Sequence, residues 1–155
     1  MPPFEIENLN SLKSCEGREL PATDWFVITQ DRIQKFADAT EDRQWIHLDP
    51  VRAGRETPFG GTIAHGFLTL SLLPHFLRLA VHIRSGIKMT LNYGLNKVRF
   101  PAALRAGSPV CARVTLLSAN ESPEFIDAVF LIQIEAQSSA KPCCVAEWLL
   151  RYYRV

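Results

Sequence analysis

Asp42 and His47 are the residues of this chain best suited to moving protons on and off a small substrate. A carboxylate and an imidazole can divide the work when one atom must lose a proton and another must gain one. They stand five residues apart, a spacing that would put them on different faces of a single helix. They converge only if the chain bends between them, and Gln44-Trp45-Ile46 has no helical or strand period to prevent it. A structural reading stands beside this one: Asp42 caps the end of a preceding helix and His47 is a satisfied, partly buried histidine. The second group is Gly60-Gly61-Thr62-Ile63-Ala64-His65-Gly66. Glycines ahead of a buried helix let a ligand approach the backbone, and the free N–H groups there suit a carbonyl becoming an enolate. Tight helix–sheet packing at Gly61 and Gly66 explains the same glycines equally well. Ser71 lies five residues beyond Gly66, inside that helix, where a hydroxyl most often bonds back to a carbonyl one turn earlier.

Other chemistries lack their residues. His65, His75 and His82 are spaced by ten and seven residues, with no HExxH and no Cys/His cluster, so no metal site is expected. There is no GxGxxG, no GxxxxGK[ST] and no GxSxG, which argues against dinucleotide, nucleotide-phosphate and serine-hydrolase sites. Lys88, Lys97, Arg99 and Arg105 could meet the phosphates of a ligand, although scattered basic residues are usually solvated surface. Cys15, Cys111, Cys143 and Cys144 show no CxxC spacing and read as reduced thiols of a cytoplasmic protein.

Composition sets the frame for these residues. The chain has 155 residues, 47% hydrophobic and 21% charged, which predicts one packed domain. A net charge of +1 argues against nucleic-acid binding. No apolar run approaches the roughly 20 residues of a membrane span, and the first residues lack the features of a signal peptide.

Periodicity places the elements that must position the candidates. Residues 1–20 read as an irregular, polar lead-in, and residues 24–28 as a short strand. Thr29 offers an N-cap, with Asp31 in the first turn, to a helix over 30–40. Residues 41–50 carry neither period and read as loop, with a short helix near 51–55. Residues 62–81 are apolar nearly all round and predict one buried helix, kinked at Pro74. After Gly86 the pattern becomes β-branched and aromatic. Strands are expected over 87–93, 95–100, 110–119, 125–137 and 143–155, with a break at Gly94. A buried helix followed by an antiparallel meander is an α+β arrangement.

Phe36-Ala37-…-Asp42-…-Ile46-His47-…-Asp49-Pro50, followed by Phe59-Gly60-Gly61-Thr62-Ile63-Ala64-His65-Gly66, resembles the MaoC-like dehydratases, which include the (R)-specific enoyl-CoA hydratases. Asn92-Tyr93-Gly94-…-Lys97-Val98-Arg99-Phe100-Pro101 and Gly107-Ser108 fit the family's sheet, and the likeness covers roughly residues 25–154. Gln44-Trp45-Ile46-His47 is most similar to the nodulation protein N branch. The resemblance implies a single hot-dog domain over 1–155, a long central helix wrapped by a curved antiparallel sheet. It implies homodimers whose two sheets join edge to edge, with active sites near the subunit interface.

The activity it implies is reversible water addition to a trans-2-enoyl thioester of coenzyme A or acyl carrier protein. Asp42 and His47 would hold the water, and a backbone N–H at Gly66 would polarise the thioester carbonyl. Ser71 and Gln44 would support them, with Trp45, Gly61, His65 and Phe67 around the substrate. No metal or cofactor is implied, coenzyme A being part of the substrate. Where the hydratase motif has Asn-Pro between the Asp and the His, this chain has Gln44-Trp45. Two rivals share the fold: a non-catalytic acyl-thioester binder, which that departure favours, and a thioesterase. The thioesterases more often carry an acid on the central helix, and residues 62–81 contain no Asp or Glu.

Overall fold

A computed structural model describes residues 1–155. Its elements run β1 (Phe4–Ile6), a 3-10 helix (Leu9–Cys15), β2 (Phe26–Val27), α1 (Gln30–Thr40), α2 (Trp45–Leu48) and α3 (Pro50–Glu56). They continue with α4 (Gly66–Ser71), α5 (Leu73–Ala80), β3 (Val81–Ile83), β4 (Ile87–Arg99), β5 (Pro109–Glu121), β6 (Phe125–Ala136) and β7 (Cys144–Arg154). Five strands form one antiparallel sheet in the order β2-β5-β6-β7-β4. In β6 and β7 buried residues alternate with partly exposed ones, the pattern of a sheet with one face on a core. Val114, Leu116, Ile126, Phe130, Ile132, Trp148 and Leu150 join Leu73, Phe76, Leu77 and Ala80 of α5 in a single apolar cluster. This is the hot-dog arrangement, a curled sheet around a helix.

The helix is shorter than its sequence pattern. Residues 62–65 are extended rather than helical: Ile63 bridges to Arg105, and Ala64 N–H donates to the Leu104 carbonyl at 2.7 Å. Helix begins at Gly66 and is interrupted at Leu72, so Pro74 sits in the first turn of α5 instead of kinking a continuous helix. A proline there loses only an N–H that would have no helical partner anyway. No helix is long and apolar enough to cross a membrane.

Three further expectations are corrected. The break at Gly94 is absent: β4 is one 13-residue strand whose register shifts at Asn92/Gly94 and Leu95/Lys97. Bulges absorb a glycine that on sequence alone looks like a turn. Residues 41–50 are not all loop, because α2 adds a turn of helix and α3 starts at Pro50, capped by the Asp49 carboxylate on Arg52 N–H at 2.9 Å. The N-terminal segment is part of the body of the protein. β1 pairs in parallel with β3, and Leu9 and Leu12 are fully buried. Its polar residues face solvent while a few apolar ones anchor it.

Candidate active site

α1 forms where the sequence places it, with Thr29 Oγ1 accepting the Arg32 N–H at 3.2 Å. It ends at Glu41, the only non-glycine residue in the left-handed region, at φ 62°. That conformation, usually left to glycine at a helix end, turns the chain between α1 and α2. It supplies the bend that Asp42 and His47 require.

The extended segment 62–65 fastens α2 and the Asp42 turn in place. Ile63 N–H donates to the Ile46 carbonyl at 3.1 Å, and His47 Nδ1 lies 2.7 Å from the Ile63 carbonyl. A carbonyl only accepts, so the ring carries its proton on Nδ1 and keeps the Nε2 lone pair free. Gln30 closes a second tie: its amide donates to the His47 carbonyl at 2.8 Å and accepts the buried Thr62 hydroxyl at 2.5 Å. His65 Nε2 donates to the Asp42 carbonyl at 2.9 Å, and its ring stacks on that of His47, centroids 3.8 Å apart and planes at 25°.

Asp42, His47 and His65 thereby bring donor atoms within 4.8 Å of one another. Asp42 is exposed, whereas both histidines are buried. Burial holds His47 below the ordinary imidazole value of 6.5. The Ile63 carbonyl opposes this, His65 adds to it, and the Asp42 carboxylate works against it. The ring is therefore neutral at neutral pH with an open Nε2, the state of a general base.

Beside the pair lies a hollow of ≈ 260 Å³ lined by His47, Gly66, Thr69, Phe100, Leu104 and Cys143, among others. The helix-start N–H groups of Leu68 and Thr69 turn back to the His65 carbonyl, leaving those of Gly66 and Phe67 with no acceptor inside α4. A Cβ on Gly66 would lie 3.1 Å from the Phe100 ring, so this position accepts no side chain without moving that ring. Burial, with the neighbouring Cys144 adding to it, pushes the Cys143 thiol up to about 12, which keeps it from acting as a nucleophile.

Asp42, His47 and His65 are brought together, with the backbone of Gly66 at the adjoining hollow. The other sequence candidates are not part of this group. Ser71 is exposed, donates to the Phe67 carbonyl at 2.7 Å and lines a different hollow with Asn92, Gly94 and Trp148. Gln44 is exposed and makes no side-chain hydrogen bond as the residue ahead of α2. Trp45 lies under the Arg52 guanidinium, 4.1 Å from it, and Gly61 packs against Arg105. Phe67 is exposed and meets Phe100 edge-on at 6.1 Å. Sequence reasoning missed the parts played by Gln30, Thr62, Thr69, Phe100 and Cys143. Of these, Thr62 belongs to the glycine-rich motif ahead of the helix and Phe100 to the run that fits the family's sheet. Nothing local marks the other three.

Residues 12–129 match the family described as MaoC like domain. A 3-hydroxyacyl-thioester dehydratase Z of Mycobacterium tuberculosis is 46% identical over 148 residues, 95% of this chain and 97% of that protein. Nodulation protein N of Rhizobium meliloti is 38% identical over 143 residues, 92% of this chain and 89% of that protein. Among solved structures, an (R)-hydratase from A. caviae superposes with a TM-score of 0.69 at 22% identity, covering 87% of this chain and 94% of the other. An R-hydratase from Pseudomonas aeruginosa gives 0.70 at 21% identity, covering 90% and 83%. Both are alike to this chain in fold.

Proposed function

The chain belongs to the MaoC-like dehydratase family, and on that footing we propose that it is a hydro-lyase interconverting a trans-2-enoyl thioester and its (R)-3-hydroxyacyl form. The observation that carries the reading is the approach of the Asp42 carboxylate to His47, whose ring lines a hollow together with Gly66. One water sits between Asp42 and His47 Nε2. As its oxygen bonds to C3, a proton passes to Nε2, and the Asp42 carboxylate stabilises the imidazolium. The electron pair of the double bond moves onto the thioester carbonyl, which the Gly66 N–H holds as an enolate. The proton then returns from the pair to C2, so the side chains end as they began. The substrate's own conjugation activates C3, and the scheme uses no resident cofactor or metal.

The acyl carrier is coenzyme A or acyl carrier protein. A cytoplasmic setting agrees with four unpaired, buried thiols. The protein acts as a homodimer joined along β4, the long strand at the edge of the sheet.

Crotonyl-CoA tests the activity: the enoyl absorbance falls on adding the protein. Asp42→Asn and His47→Ala each slow this by ~10²–10⁴-fold with the fold retained, the usual scale for a lost acid–base group. Release of free thiol would make the protein a thioesterase, and binding without turnover would make it an acyl-thioester carrier; either result overturns the proposal.

A further inference from the structure

We propose that His65 is a positioning residue for the Asp42/His47 pair rather than a wall of the substrate pocket. The inference rests on the hydratase reading for its kinetic consequences only. His65 is 2% exposed and is not among the residues lining the hollow beside His47. Its ring packs against Phe36, at 4.9 Å, and stacks on His47, at 3.8 Å. The His47 ring is pinned at one edge by the Ile63 carbonyl. Stacking on His65 restrains the remaining freedom, rotation out of the plane that aims Nε2 at the water.

The second tie is to the main chain. His65 Nε2 donates to the Asp42 carbonyl. Asp42 is exposed and comes directly after the left-handed residue Glu41, so little else fixes where its carboxylate stands. One side chain thus governs both partners. It does so from the segment whose Ile63 also holds His47, so the two fastenings share a rigid base.

Packing alone does not account for a histidine here. The Nε2–H on the Asp42 carbonyl leaves Nδ1 as an acceptor, and it is buried with no partner. An unpaired buried acceptor destabilises the fold, and a phenyl ring would fill the same space without one. What phenylalanine cannot supply is the N–H that meets Asp42.

The test compares His65→Phe and His65→Gln with the parent protein. His65→Phe keeps a ring against His47 and loses the donor, and His65→Gln restores a donor. We expect His65→Phe to fold with an unchanged or raised Tm. Its kcat for crotonyl-CoA hydration falls by about tenfold to a hundredfold, the scale set by small misplacements of reacting groups, while KM stays within about twofold. His65→Gln recovers part of kcat. In parallel, the backbone order parameter of Asp42 drops from about 0.85 toward about 0.6 in His65→Phe and recovers in His65→Gln. A rise in KM at constant kcat would return His65 to the substrate pocket. An unchanged kcat together with an unchanged order parameter would remove its positioning role. If the parent protein is inert toward enoyl thioesters, the hydratase reading fails, and the order parameter still decides whether His65 holds Asp42.

Discussion

His47 and His75 are both kept from protonation by burial, with Arg78 and Arg32 adding to the effect at His75 and His65 adding to it at His47. Folded, each binds a proton less readily than at its unfolded value near 6.5. Between the folded and unfolded values the unfolded chain carries the extra protons, so stability rises with pH across that window. Their contribution is complete above the unfolded value and is lost as the pH falls below it. Thermal melting at a series of pH values should therefore show Tm falling on acidification from neutrality. His75→Phe, which also removes a buried nitrogen that has no partner, should shrink that fall. An equal pH response in His75→Phe and the parent would mean that His75 is not one of the groups responsible. The kcat/KM for hydration should decline on the acid side at a pH below 6.5, because the depressed value keeps the His47 base neutral further into acid. Residue types make Asp42 and His47 visible in the sequence. The bonds that aim them are not, because Gln30 reaches His47 across 17 residues and His65 reaches Asp42 across 23, and no local pattern encodes such a pairing.

The central helix separates local pattern from tertiary outcome. Its apolar residues are legible, and so are the cap at Thr29 and the strands β5, β6 and β7. The ends of the central helix are not. Periodicity cannot distinguish residues 62–65, buried as an extended segment paired with 104–106, from residues buried as helix. Pro74 turns this into a measurement. A proline inside a continuous helix costs about 3 kcal/mol, and replacing it with alanine would stabilise the protein. In the first turn of α5 the same replacement mainly frees the unfolded chain, and it destabilises by about 0.4–1 kcal/mol. Pro74→Ala should thus lower Tm by at most a few degrees. A rise in Tm on that scale would restore a single kinked helix. Gly94 teaches the same point in the sheet. A glycine between two apolar runs reads as a break, but Asn92 to Lys97 stay paired to β7 through two register shifts, and only the partner strand makes that visible.

At the scale of the whole molecule, β4 is the part left unfinished by one chain. It borders the sheet, pairs only with β7, and leaves Met89, Leu91, Tyr93 and Leu95 each 44–55% exposed. A long apolar edge strand in a lone chain is a site for uncontrolled pairing, and pairing with a second copy removes it. Such a contact is isologous, so every substitution in it is made twice and residues near the two-fold axis face their own copies. Charge placed there is repelled by itself. Met89 and Leu91 share the outer face of the sheet with Tyr153 and Arg151, their partners on β7. In the proposed homodimer a carboxylate at Leu91 would disturb the contact between copies, and it lies on the face of the sheet away from the core. The parent protein should sediment at twice the 17.5 kDa mass of the chain. Leu91→Asp should sediment as a folded monomer at the same concentration, with a far-UV spectrum like that of the parent. Retention of the doubled mass in Leu91→Asp would move the interface away from β4, and a monomeric parent would show that the edge is protected in some other way.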